Sequence, residues 1–190
     1  RLYGNGLFFV AVFFALLYFA GMAIFFYGKN TEKVETIFLF AALLAAVLYI
    51  RCCFMYFVSG DYKGFLKIWI EQLSQYKGLD GLKANIGDYT MPYRYFLLFL
   101  SKIGGDKLIQ IKMFSLCFDL LGAYYVMKMV EMVNKSVTVR IFAFILPLLA
   151  PTSFWNSAMW GQCDMMYFAF SLGGIYYAVN NKGRAAVILS

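Results

Sequence analysis

The stretch Leu7–Tyr27, LFFVAVFFALLYFAGMAIFFY, contains no charged residue. A hydrocarbon layer about 30 Å thick takes about 20 residues of helix to cross, and this run supplies them. Similar runs recur along the chain. Ile37–Val58 is broken only by Arg51, Leu108–Val130 is interrupted by Lys112, Asp119 and Lys128, and Val139–Trp155 contains Pro147 and Pro151. Met165–Val179 is shorter, and Ala185–Leu189 opens another run. Proline inside a span frees a backbone carbonyl that neighbouring protein must satisfy, so the run over 139–155 is predicted to be kinked and buried. Composition agrees with the runs: of 190 residues, 63% are hydrophobic, 21% aromatic and 14% charged, against roughly 45–50% apolar and 25% charged in soluble domains. A soluble domain is excluded, and so is a disordered chain, which would be poor in aromatics. The sequence predicts an all-α, polytopic integral membrane helical bundle, multi-pass and in contact with membrane lipids.

The formal charge of +7 is spread through the gaps between apolar runs. A nucleic-acid binder would cluster it on one face or arm, so no nucleic-acid partner is expected. Lys29 and Lys33 lie in the first gap, Lys128, Lys135 and Arg140 flank the third run, Lys182 and Arg184 lie in the fifth gap, and 152–164 has none. The positive-inside bias in short connections then puts the stretches 59–107 and 152–164 on the extracytoplasmic side. The chain begins at Arg1 without an initiator Met and stops at Ser190 within an apolar run. It is expected to be the N-terminal part of one transmembrane domain. No cleavable signal is expected, because the first run is too long for a signal core and lacks a small-residue cleavage site.

The outer stretch carries its own pattern. Phe65, Leu66, Trp69, Leu73 and Tyr76 share one face of Tyr62–Lys77, with Lys63, Lys67, Glu71, Gln72 and Gln75 elsewhere, which predicts an amphipathic helix lying along the membrane surface. Thr90 offers an N-cap with Pro92 in the first turn, and Tyr93–Ile103 reads as a second short helix. Two amphipathic juxtamembrane helices in the first large outer loop are expected.

Histidine is absent, which removes imidazole acid/base chemistry and Ser-His triads. The cysteines Cys52, Cys53, Cys117 and Cys163 show no CxxC spacing and read as small apolar residues. Carboxylates remain, and Asp61, Glu71, Asp80, Asp88, Asp106 and Asp164 fall on the outer side. Asp61 follows a span directly, behind Ser59 and Gly60, where a carboxylate is partly desolvated and suited to general-base work; the plain alternative is a solvated loop acid. Asp88, between Gly87 and Pro92, is a binding residue or an acid ordering its turn. Asp164 is a site residue or an interfacial helix N-cap favoured by the helix dipole. Asp119, deep in a span, needs a partner; Lys112, seven residues earlier on nearly the same face, is one candidate, and a purely structural role is the alternative. Arg51 either snorkels outward or turns into the bundle; there a cation could hold a phosphate, with Arg94 and Lys83 as alternatives. Aromatics at the run ends are interfacial belts by default.

Taken in order, Ser59-Gly60-Asp61-Tyr62, Phe65-Leu66, Trp69, Gly87-Asp88-Tyr89-Thr90, Pro92-Tyr93, Phe118-Asp119 and Asn156-Ser157-Ala158-Met159-Trp160-Gly161-Gln162-Cys163-Asp164 resemble the GT-C glycosyltransferases. The likeness is closest to bacterial proteins related to the eukaryotic GPI mannosyltransferases, covers about residues 45–185, and is most specific around Asp88 and Trp160. It implies a GT-C-like bundle in a bacterial cytoplasmic membrane, with an active site facing outward. It further implies transfer, with inversion, of a hexose, mannose being the expected sugar, from a polyprenyl-phosphate carrier to a glycan, lipid or protein acceptor. The family's general base maps onto Asp61, and its loop carries two juxtamembrane helices. Arg51 and Arg94 would then steady the departing phosphate electrostatically. Asp88 and Asp164 would orient hydroxyls, and Tyr89, Trp160 and Gln162 complete the substrate-binding set. The chain departs from the family in lacking its C-terminal half, which supplies some phosphate contacts, and in having one span before the usual first. No cofactor is required, and a divalent metal is compatible with the carboxylates although no spacing demands one. The competing reading is a transporter or lipid flippase using Lys112 and Asp119, and a third is a non-catalytic scaffold.

Overall fold

A computed structural model describes residues 2–28, 32–84 and 86–189. Arg1, Lys29 and Ser190 lie outside the described residues. Among the described residues the chain is helical with connecting turns and no strand. The helices α1 (Leu2–Phe26), α2 (Val34–Cys52) and α5 (Lys107–Val133) are each long and apolar enough to cross a membrane. On α1, Leu7, Phe8, Phe9, Leu16 and Phe19 are all about two-thirds exposed, a surface that suits lipid and that water would not tolerate. Gly21 permits the close approach of α2, since a Cβ there would lie 2.7 Å from Leu44 Cδ2, the use of small residues typical of helix contacts in membranes.

The run over 139–155 becomes two pieces. Helix α6 (Val137–Leu149) is followed by α7 (Pro151–Phe154), which continues as a π-helical turn over Trp155–Trp160, and the two axes differ by 50°. The break falls at Ala150, whose ψ of 128° is extended. Pro Cδ clashes with a helical preceding residue, so Pro151 makes the bend, whereas Pro147 is carried inside α6. Gly161 ends the π turn in the left-handed region at φ 72°, where its missing Cβ avoids the usual penalty. Next, α8 (Asp164–Val179, 16 residues) spans about 24 Å, a little short of the hydrocarbon thickness. α9 (Gly183–Leu189) follows.

Helix α5 packs against α1, α6 and α8 and divides two apolar clusters. In one, Phe25 stacks on Phe40 at 3.8 Å with Phe144 edge-on to both. The other joins the N-terminal half of α5 to the short helices α3 (Lys67–Ser74) and α4 (Met91–Lys102) through Leu66, Ile70, Leu73, Tyr93, Leu97, Ile111 and Met166. The buried face of the first helical segment is therefore Leu66–Ile70–Leu73 with Trp69 half-buried, and the expected face is corrected: Phe65 and Tyr76 stay exposed. A π-helical turn over Tyr62–Leu66 shifts the angular register ahead of α3, and α4 selects which side is covered.

The pairing of charges also differs from the expectation. Lys112 does not meet Asp119. Its ammonium donates to the carbonyls of Phe54 and Phe57, each at 2.7 Å, in the turn 53–57 that replaces the expected last turns of α2. Asp119 instead pairs with Arg51, and both are 1% exposed. Arg51 Nη1 also donates to Ser157 Oγ at 2.7 Å, and Nη2 donates to the Leu148 carbonyl at 2.6 Å and Ser153 Oγ at 3.0 Å. Asp119 accepts a further hydrogen bond from Ser157. This cluster ties α2 and α5 to both sides of the Ala150 break. At the opposite end, Arg140 reaches Glu32 at 2.7 Å, Glu131 at 3.3 Å and the Phe25 carbonyl at 2.9 Å, closing the bundle there.

Removing one member of such a buried pair leaves an uncompensated charge. Arg51→Met is expected to destabilise the protein by about 3–5 kcal/mol, and Arg51→Met with Asp119→Leu to recover most of that loss. Thermal unfolding in detergent micelles reads both, and a double variant no more stable than the single one would contradict the assignment.

Candidate active site

Three segments far apart in sequence meet at the end of the bundle where α5 begins. Ser59, 2% exposed, donates through Oγ to the Trp160 carbonyl at 3.2 Å and accepts from the Tyr62 amide at 3.1 Å. This holds the start of the Asp61 turn against the π turn that precedes Gly161. The turn before α4 is pinned to the same segment, because the Tyr89 hydroxyl donates to Gln162 Oε1 at 2.5 Å. Thr90 occupies the N-cap position of α4 without capping it; its hydroxyl lies 2.5 Å from that of Tyr167 on α8. Asn156 Nδ2 donates to Asp164 Oδ2 at 2.8 Å across the loop, and the Gln162 amide donates to the Asn156 carbonyl at 2.7 Å.

Burial raises the pKa of the Tyr89 phenol far above its ordinary value, and Cys163, Asp164, Asp61 and Tyr167 push it in the same direction. Two consequences follow. The phenol stays protonated at neutral pH and remains a donor to Gln162. Asp61 and Asp164, about a hundred residues apart in sequence, both act on this one hydroxyl. Asp61 is partly exposed, Asp164 and Asp88 are exposed, and Trp160 is 42% exposed. Gly87, at φ 75°, lets the turn pass the Trp69 indole, which a Cβ would meet at 3.1 Å; Trp69 then lies edge-on to Tyr89 at 5.6 Å. Carboxylates, amides and exposed aromatic faces side by side suit the binding of hydroxyl-rich molecules.

The cations are placed elsewhere. Arg51 does not snorkel outward: its two terminal nitrogens are committed to Asp119, Ser153, Ser157 and the Leu148 carbonyl, so its expected role in holding a phosphate is corrected to an internal one. Arg94 Nη2 donates to the Leu82 carbonyl at 3.1 Å and to that of Ala84, tying down the loop before Asp88. Lys83 pairs with Asp80 at 3.1 Å on the surface. Asp164 is the first residue of α8 rather than its cap, a place where the helix dipole favours a carboxylate. Among the described residues no three His, Cys, Asp or Glu side chains group as a metal site.

Sequence reasoning passed over Tyr167 and Ser115, the latter donating to the Gln162 carbonyl at 2.8 Å. Their only signal was a polar group within an apolar run, which in membranes usually means a hydrogen bond to another helix or loop. The chain matches no protein-family model, no curated protein and no solved structure.

Tyr89→Phe removes one hydrogen bond while keeping the ring. It is expected to cost about 1 kcal/mol and to speed amide exchange selectively over 86–92, leaving α5 unchanged; uniform acceleration across the protein would contradict the local docking described.

Proposed function

We propose that this membrane protein is a GT-C-like glycosyltransferase that moves a hexose, mannose in the first instance, from a polyprenyl-phosphate carrier to an acceptor hydroxyl. The observation that carries the reading is the convergence of the Asp61, Tyr89 and Asn156–Asp164 segments, since these blocks also underlie the sequence resemblance. Asp61, partly exposed beside the Tyr89–Gln162 pair, is the proposed general base. It would take the acceptor proton as that oxygen attacks the anomeric carbon from the face opposite the leaving phosphate, which inverts the centre. Asp88 and Asp164 would orient sugar or acceptor hydroxyls, with Trp160 and Tyr89 offering aromatic faces. The leaving polyprenyl phosphate departs already charged and needs electrostatic support more than protonation.

The proposed setting is a multi-pass protein of a bacterial cytoplasmic membrane, with this end of the bundle facing outward. The transport reading is less well supported. Lys112 and Asp119, its two charges, are enclosed at 0% and 1% exposure and bonded to protein, whereas a pathway residue has to face a passage for the moving species.

Membranes containing the complete protein, given polyprenyl-phosphate-linked mannose or glucose, are expected to form labelled product. Asp61→Asn is expected to lower the turnover by about 10²–10⁴-fold with an unchanged unfolding midpoint. Full transfer by that variant would remove Asp61 as the base. A cysteine at position 61 is expected to react with impermeant thiol reagents from outside the cell and not from the cytosol.

A further inference from the structure

Lys112, Ser115 and Asp119 stand three and four residues apart on one face of α5, each at most 1% exposed. Over about 10 Å of helix they hold two stretches of chain, 51–57 and 157–162. Lys112 holds the carbonyls of Phe54 and Phe57, in the turn that runs on to Ser59 and Asp61. Ser115 holds the carbonyl of Gln162. Asp119 holds Arg51 and Ser157, the second of these in the π turn that leads to Trp160. Lys112 also touches the second segment, because a Cβ on Gly161 would lie 3.5 Å from Lys112 Cγ. The lysine thus stands between the turn leading to the candidate base and the loop carrying the candidate sugar-binding residues.

An ammonium is costly to enclose among apolar side chains, and methionine would fill nearly the same space without that cost. What lysine adds is two hydrogen bonds to carbonyls in an irregular turn, one of which, that of Phe54, is already shared with the Phe57 amide at 3.0 Å. Irregular backbone at this depth is tolerated where protein groups satisfy it.

We propose that Lys112 and Ser115 are positioning residues: through the Phe54–Phe57 turn and the Gln162 carbonyl they set the separation between Asp61 and the Trp160–Asp164 segment, so that both are referred to a single turn of α5. The consequence for catalysis rests on the glycosyl-transfer reading; the positioning itself does not.

The test uses the complete protein in membranes, with native cysteines replaced by serine and new cysteines at positions 61 and 160. The rate constant of their joining by a short bifunctional thiol reagent reports the separation in folded molecules, whatever the folded fraction. Lys112→Met and Ser115→Ala are each expected to change this rate constant several-fold. In the protein with Asp61 and Trp160 intact, both are expected to lower kcat per folded molecule by about 10–100-fold, with KM for the carrier-linked sugar within about twofold. Ser115→Ala, which removes one hydroxyl, decides the matter if Lys112→Met fails to fold. An unchanged joining rate overturns the proposal whatever the activity, and a changed rate with unchanged kcat overturns its catalytic relevance. A changed rate in a protein whose native form transfers no sugar upholds the positioning and removes the glycosyltransferase reading instead.

Discussion

Two opposite charges enclosed together inside an apolar bundle persist when each finds the other and most of the remaining polar atoms find hydrogen bonds; Arg51 and Asp119 do so through Ser153, Ser157 and the Leu148 carbonyl, with Arg51 Nε left without a hydrogen bond. Such a pair contributes little net stability compared with apolar residues of the same shape. Its effect is on arrangement. The Arg51–Asp119 cluster specifies how α2 and α5 sit against the two halves of the broken helix, and so where the π turn over Trp155–Trp160 begins. Apolar packing in a lipid surrounding is permissive about such details, because a helix that slides by a turn still presents methyl groups to methyl groups. A guanidinium with four protein acceptors does not slide.

The candidate site is assembled on the end of this braced frame. Hydroxyl groups do the joining, two to backbone and two to side chains: Ser59 to the Trp160 carbonyl, Ser115 to that of Gln162, Tyr89 to the Gln162 side-chain amide and Thr90 to Tyr167. The groups left facing outward, Asp61, Asp88, Asp164 and the Trp160 ring, carry the chemistry proposed for it. Support and chemistry are divided between different residues. The buried guanidinium of Arg51 belongs to the support.

Much of this was legible in the chain before folding was considered. Uncharged runs such as Leu7–Tyr27 require helices that meet lipid, since the backbone in hydrocarbon must bond internally. Pro151 announced a bend, and the Gly-Asp-Tyr-Thr turn announced an irregular loop ahead of a short helix. The reading failed where a local pattern had two solutions. Phe65 and Tyr76 fit an apolar face as well as Leu66, Ile70 and Leu73 do, and only the presence of α4 on one side chose between them. Lys112 and Asp119 share a helix face at the right spacing for each other, yet each found a nearer partner on another segment.

What the residues alone determined is the material and the lengths: helix throughout, spans set by runs of Phe, Leu, Ala and Val, and polar groups at the run ends and at a few interior positions. Tertiary structure decided which polar group met which. A buried charge takes the partner whose geometry satisfies most of its hydrogen bonds, and for Arg51 that partner lies 68 residues away. Separation along the chain carries no information about such distances in space, so the pairing of Arg51 with Asp119, of Lys112 with the 53–57 turn, and of Tyr89 with Gln162 came from the packing of α5 against its neighbours.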